Sequence, residues 1–395
     1  MKLQARSSRE LLKVLQKSSK CVAVKDTISI LDHVLLTENA EGEFLFTSSN
    51  GDAQLTIAAP ITMIDGKLKQ PIALPVGLIT PFLSTLPDCA ITMTLDICMN
   101  TLLLEYCTGK EGNVKEGKVS LTYKEGYAFP LLRTVSDKVT HIVLPRTKFE
   151  TIVANATDFA PRNDLRPILE SLCIDIADDL SDLTFAATNA QLLFRMVYSN
   201  NPERGGSNFF VSGEPSRMLV SSRYFRIFSV FDDCETIDIE SDDRTIRFSS
   251  GSMELLCKAT EGRYPNYKAV IPASSPYFIS FDKKEMLGVL KRVGLFSDKN
   301  SNKVILKKDG LFLDIKTQDI DYSIAAEDQV ILTDAQCEDG FGIGFNLSML
   351  TSCIEAIDGD EIRMQLIDSS HAALMMAHVP APDTITLCMP VLFND

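Results

Sequence analysis

Apolar and polar positions along this chain follow a recurring order. In Ser8–Lys20, Leu11, Leu12, Val14 and Leu15 fall on one side at about 100° per residue, which predicts an amphipathic helix. Period-two stretches at Ile30–Leu36, Glu43–Thr47, Ala53–Ala59 and Lys67–Leu74 predict strands, with Asn50-Gly51 as a hairpin turn. A nearly uncharged helix is predicted at Val76–Leu86, in which Pro81 either introduces a kink or marks the first turn. Strand patterns at Ala90–Asp96, Thr101–Cys107 and Lys118–Tyr123 complete a block that closes on Gly126-Tyr127-Ala128-Phe129-Pro130.

The order then returns twice. Lys148–Phe159 reads as a helix, followed by strands at Leu172–Ile176, Leu183–Ala187, Leu193–Tyr198 and Asn208–Gly213. A short helix at Ser222–Phe231 and strands at Thr236–Glu240, Thr245–Ser249 and Met253–Ala259 complete the second block. The third opens with a helix at Lys283–Phe296 and strands at Val304–Leu306, Leu311–Lys316, Tyr322–Ala326 and Gly342–Phe345. It ends with a helix at Leu347–Ile357 and strands at Glu361–Ile367, Leu374–His378 and Thr384–Cys388. The helix anchors Leu11, Phe149 and Met286 stand 138 and 137 residues apart. A repeat of that length is a whole domain. The prediction is an α+β fold of three similar domains, 1–138, 139–272 and 273–395, each with two helices on one face of antiparallel sheets.

Composition narrows the class. The 395 residues suffice for two to four domains, and 45% hydrophobic with 23% charged residues is the balance of a globular protein. No run of about 18 apolar residues predicts a membrane span, and the basic N-terminus lacks the apolar stretch of a secretory signal. Ten cysteines are scattered without C-x-x-C spacing, and the four histidines stand apart from any cysteine pair. That pattern predicts reduced thiols in a cytoplasmic protein, without a disulfide framework, metal site or cofactor.

Charge changes the picture more. The chain carries −14 overall, yet its first 25 residues hold seven Lys/Arg against Glu10, so the remainder carries −20. Arg6, Arg9, Lys13, Lys17 and Lys20 fall within an arc of about 80°, opposite the apolar side of the first helix. A solvated helix face normally mixes signs; five cations without an anion point to a polyanion. Further cations follow on the corresponding segments of the later blocks, at Lys148, Arg223 and Arg226, then at Lys284, Lys291 and Arg292. Three similar domains can form an arc, and two such arcs joined head to tail close a six-domain ring. With these cations facing the hole, the ring would hold duplex DNA through its phosphates without reading sequence.

The run Glu261-Gly262-Arg263-Tyr264-Pro265-Asn266-Tyr267-Lys268-Ala269-Val270-Ile271-Pro272 resembles the E-G-R-[FY]-P-[DN]-Y…V-[IL]-P signature of the bacterial sliding clamp, the beta subunit of DNA polymerase III. Asn163–Leu169 resembles that family's E-x-R-P-x-L-x-G, Thr27–Leu31 its T-L-P-I-L, and Met389-Pro390-Val391 its terminal M-P-M. The resemblance implies a non-catalytic, ring-shaped homodimer around double-stranded DNA that confers processivity in DNA replication. It implies binding of polymerase subunits, clamp loader and repair proteins through short peptides rich in Gln, Leu and Phe. Carried over by motif, the peptide pocket would use Arg166, Leu169, Thr188, Leu193, Pro265, Val270, Leu387, Met389, Pro390 and Val391, several of which would serve equally as plain core. The resemblance adds Lys25 to the DNA-facing cations and sets Phe82, Leu86 and Val119 against Leu295 and Phe296 at the dimer contact, positions that intradomain packing would also explain.

The chain departs from the family at Ala187-Thr188-Asn189-Ala190-Gln191-Leu192-Leu193, where the family has A-T-D-G-H-R-L. Ala190 replaces a glycine, which adopts positive φ without a steric cost. The departures mark a divergent member. Its alternative reading is a paralogue that regulates the host replication machinery without a working peptide pocket. No P-loop, dinucleotide fingerprint, nucleophile elbow or H-E-x-x-H motif is present. The acidic pairs Asp178-Asp179, Asp232-Asp233 and Asp242-Asp243 read as solvated turns.

Overall fold

The structure is a computed structural model that describes residues 1–23, 28, 30–109, 115–136, 140–161, 166–199, 209–242, 244–319, 324–379 and 383–393. Its helices are α1 (Ser8–Ser19), α2 (Val76–Ser84), α3 (Arg146–Phe159), α4 (Lys283–Gly294) and α5 (Leu347–Glu355). Caps fix three of the starts. Ser7 accepts from the Glu10 amide ahead of α1, Asp282 from the Glu285 amide ahead of α4, and Asn346 from the Met349 amide ahead of α5. Each satisfies an N–H that the first turn leaves without a helical partner. Pro81 lies inside α2.

A strand precedes the first helix of each block, an element the sequence reading did not include. These strands are Lys2–Ala5, Thr140–Pro145 and Tyr277–Asp282. Each pairs antiparallel with the strand that follows the block's second helical segment: Ile91–Asp96, Thr236–Ser241 and Glu361–Leu366. The threefold plan is therefore visible in pairing as well as in order. The middle block differs in one element. Where a helix was expected over Ser222–Phe231, the chain makes two 3-10 turns, Ser222–Tyr224 and Phe228–Val230. Its apolar positions, Tyr224, Phe225, Ile227, Phe228, Val230 and Phe231, are all buried. They surround the axis instead of forming one stripe, and aromatic and β-branched residues are indifferent helix formers, so tight turns bury what a regular helix would expose.

By internal contacts the chain divides into two compact units. The first comprises Met1–Arg146, Phe210–Gly213 and Tyr224–Ala259. It contains a five-stranded and a ten-stranded antiparallel sheet, the larger joining the first and middle blocks where Ala53–Ala58 pairs with Met253–Lys258. Leu11 and Leu15 of α1 and Ile79 and Leu83 of α2 pack with Leu3, Phe46, Ile91 and Leu104 in its core. The second unit comprises Thr147–Phe209, Glu214–Arg223 and Thr260–Asp395. Its twelve-stranded sheet joins the middle and last blocks where Leu192–Ser199 pairs with Thr384–Cys388. No helix among the described residues is long and apolar enough to cross a membrane.

Candidate functional site

The pairing of Leu192–Ser199 with Thr384–Cys388 positions a concavity of the second unit. It sets Leu193 opposite Leu387, and Leu387 opposite Leu374 on the next strand. These three are buried with Leu219, Tyr264 and Tyr267 in one apolar cluster. Above it opens a cavity of about 500 Å³. Arg166, Leu169, Thr188, Leu193, Pro265, Val270, Leu387 and Met389 all line it. Eight of the ten residues named from the sequence thus meet around one space. Leu193, Leu387 and Leu169 form a buried floor, while Val270 (60% exposed) and Met389 (43% exposed) stand at the rim.

Pro390 and Val391 do not line this cavity. The Val391 amide donates to the Gly344 carbonyl at 2.8 Å, and the Phe393 ring lies over Gly342. The chain end therefore runs along the strand Gly342–Asn346. A side chain at Gly344 would meet the Val391 carbonyl oxygen at 2.8 Å, so glycine there permits the approach.

Other lining residues went unnamed at the sequence level. Ile168, Arg263, Asn266 and Tyr267 lie inside the quoted motifs, and Ala190, Gln191 and Leu192 lie in the segment noted for its departures. Adjacency to the named residues could have found these seven. Ala372 carried no signal; the sheet register alone brings it there. Among the described residues the lining contains two arginines and no carboxylate.

The walls are held by polar contacts. The Tyr264 hydroxyl donates to the Ser171 and Ala186 carbonyls, and the Tyr267 hydroxyl donates to Asp175 at 2.9 Å. Burial pushes both phenols up from their ordinary value, and Asp175 adds to this for Tyr267. In the turn over one edge, Asn189 Oδ1 accepts from the Gln191 and Leu192 amides, and the Thr188 hydroxyl donates to the Leu192 carbonyl at 2.6 Å. Ala190 takes φ +75° there, so the left-handed turn survives without glycine. Glu170, which follows Leu169, is only 2% exposed; its Oε2 accepts from Arg223 Nε at 3.2 Å and its Oε1 has no hydrogen-bond partner among the described residues.

In the first unit, Arg6 just before α1, Arg9 and Lys13 on it and Lys20 at its C-cap are exposed cations, but Lys17 is buried. Lys17 Nζ lies 2.5 Å from Asp232 and 3.3 Å from Asp233, and Lys13 Nζ lies 2.8 Å from Asp233. Lys20 donates to the Ser229 hydroxyl at 2.9 Å. The pair Asp232-Asp233 is an exposed turn, as expected, and its carboxylates lie against the cationic face. Bonding to Asp233 raises Lys13 above its ordinary value, and bonding to Lys13 and Lys17 holds Asp233 below the usual carboxylate range. The expectation of a face without anions holds for the helix and fails for the surface.

The remaining cations behave diversely. Lys148 lies 5.6 Å from the Tyr198 ring centroid, Arg292 pairs with Asp328 at 2.7 Å, and Lys284 stands 3.7 Å from Asp360 with both ends exposed. Arg226 and Lys291 are exposed. Lys25 lies outside the described residues. Of the residues named for the dimer contact, Phe82 and Leu86 pack in part on the first unit's core, Phe82 edge-on to Tyr106 at 5.5 Å. Val119 is half-buried on Lys115–Thr122, an edge strand of the five-stranded sheet. In the second unit Leu295 and Phe296 are exposed at the end of α4.

Residues 268–391 match the protein family described as DNA polymerase III beta subunit, C-terminal domain. The beta sliding clamp of Synechocystis is 24% identical over 394 residues, with 95% of each chain covered, and that of Synechococcus elongatus 25% identical over 401 residues, with 99% of each covered. Among solved structures, the DNA polymerase sliding clamp of Bacillus subtilis superposes with a TM-score of 0.86 at 17% identity. The DNA polymerase III subunit beta of Pseudomonas aeruginosa gives 0.84 at 18%. Both cover the whole of each chain. These structures share the fold, and the resemblance to sliding clamps read from the motifs runs the full length of the chain.

Proposed function

We propose that this chain is a divergent bacterial sliding clamp, a non-catalytic ring that encircles duplex DNA and tethers the replicative polymerase. The observation that carries the reading is the cavity. Residues from three separated segments, 166–169, 188–193 and 263–270, meet the last strand to form one apolar slot, and all of them were named or flanked by the family's motifs. A volume of about 500 Å³ suits a few apolar side chains of a short peptide and is within the range of ligand sites.

Mechanistically, the clamp contributes topology and not tight binding. Domains 1–138, 139–272 and 273–395, taken twice in a head-to-tail dimer, close the ring. The contact uses Phe82, Leu86 and Val119 against Leu295 and Phe296. Cations on α1, α3 and α4 and on the 222–231 turns face the duplex phosphates, which permits sliding because no base is read. Polymerase, loader and repair proteins dock by Gln/Leu/Phe-rich peptides in the cavity, so a partner remains beside the DNA while the ring moves. The intact Ala190 turn supports a working pocket over a regulatory paralogue lacking one.

The test loads the protein onto nicked circular DNA with its host's clamp loader and follows it by gel filtration. Co-elution with the circle, then release when the circle is cut once, is the expected result; retention on the linear form, or none on the circle, overturns the ring. Titration with a Gln-Leu-Phe peptide tests the pocket separately, and no binding at high micromolar concentration removes the tethering role.

A further inference from the structure

The five cations of the α1 face do not all remain available to a polyanion. Lys17 is committed to two carboxylate contacts, at 2.5 Å with Asp232 and 3.3 Å with Asp233, and its side chain is only 11% exposed. Lys13 bonds to Asp233 at 2.8 Å while remaining 57% exposed. Lys20 is tied to Ser229, whose own hydroxyl donates to the Arg226 carbonyl at 2.7 Å. All these partners come from one short segment, residues 226–233, brought against a helix more than 200 positions earlier in sequence. Two carboxylates at charge-assisted hydrogen-bond distance from two ammonium groups present what two phosphates of a DNA strand would present. Arg6 and Arg9, by contrast, make no ion pair among the described residues.

We propose that Asp232 and Asp233 act as a built-in phosphate mimic that occupies Lys13 and Lys17 and so limits how strongly α1 holds DNA. The inference rests on the reading of α1 as a DNA-facing helix and adds a determinant which that reading does not contain. A ring that retains DNA by topology gains nothing from tight phosphate contacts, because each one slows sliding. Internal anions offset part of the cationic face while leaving Arg6 and Arg9 to contact phosphates. Lys13 can exchange between Asp233 and a passing phosphate, since both its ends are exposed; Lys17 stays with its carboxylates.

The experiment measures equilibrium binding of the full-length protein to an end-labelled linear duplex by fluorescence anisotropy across a salt series. Three variants accompany the parent: D232N/D233N, K13Q/K17Q, and the combination of all four substitutions. Each released phosphate contact contributes a slope of about 0.9 in log affinity against log salt. For D232N/D233N the expected result is a slope steeper by one to two contacts and several-fold tighter binding at a fixed low salt. The four-fold variant should return to the K13Q/K17Q value, because the gain acts through those two lysines.

An unchanged slope in D232N/D233N overturns the proposal. So does a gain that persists in the four-fold variant, since the carboxylates would then act only as general repulsive charge. Asparagine keeps the carboxylate shape, and thermal melting of each variant verifies the fold; if D232N/D233N melts early, D233N alone, which frees exposed Lys13, gives the same test. A parent protein that shows no binding at the lowest salt overturns the reading of α1 as a DNA-facing helix, and this proposal with it, whereas encirclement stands or falls by the nicked-circle test.

Discussion

Ala190 adopts φ +75°, a conformation in which an L side chain crowds the following carbonyl. The turn persists because Asn189 accepts two amides and Thr188 spans its ends, so local hydrogen bonds offset the strain. Ala190→Gly is therefore expected to raise unfolding stability by about 1 kcal/mol, read from the denaturant midpoint, with peptide affinity kept. Cysteine chemistry divides by burial. Burial pushes the Cys21 and Cys173 thiols up to about 12, and Cys257 and Cys353 well above the ordinary value, whereas Cys98 and Cys107 are exposed. A raised thiol pKa leaves almost no thiolate near neutrality, and thiolate is the reactive form. Alkylation of the native protein at pH 8 should mark Cys98 and Cys107 first, and mass spectrometry should find Cys21, Cys173, Cys257 and Cys353 unmodified until the chain is denatured.

At the scale of elements, Arg223 was named from sequence as a DNA-facing cation, and the structure gives its guanidinium a second duty. It supplies the one hydrogen bond to the buried Glu170 side chain among the described residues, and Glu170 follows Leu169 of the pocket wall. The Ser222 amide also donates to the Glu170 carbonyl, at 2.6 Å, so the 3-10 turn and the pocket segment are stitched twice. Arg223→Gln leaves a buried carboxylate short of its charged partner; since Arg223 is 63% exposed, the cost should be about 1–3 kcal/mol and not that of a fully buried pair. The same substitution combined with Glu170→Gln should recover most of the loss in a double-mutant cycle. If the single variant melts with the parent, the contact contributes nothing.

For the whole molecule, the proposed ring depends on apolar residues exposed in the single chain. Leu295 is 78% exposed and Phe296 48% exposed, a large apolar pair at the end of a helix whose other exposed side chains are charged. Covering such side chains is a driving force for association. Leu295→Asp with Phe296→Asp is expected to convert the dimer to a monomer by light scattering, with the melting temperature of the chain nearly unchanged because neither residue belongs to a core. A variant that remains dimeric moves the contact elsewhere.

Much of this was legible in the sequence because it is local. Helix periodicity and the repeated order of elements arise from neighbours a few residues apart, and local sterics and hydrogen bonding set them. Eight pocket residues were legible through motifs, since those motifs occupy contiguous stretches. The leading strands were missed because four to six residues carry little periodic signal and gain their identity from a partner about 90 positions away. The Ser222–Phe231 segment was misread as helix because its apolar residues surround it, and only burial on several sides selects tight turns. Asp232 and Asp233 on Lys13 and Lys17, Val391 on Gly344, and Arg223 on Glu170 are decisions of the tertiary structure. An ion pair spanning some 220 residues is written in no local pattern; it exists only once the sheets have brought the two segments together.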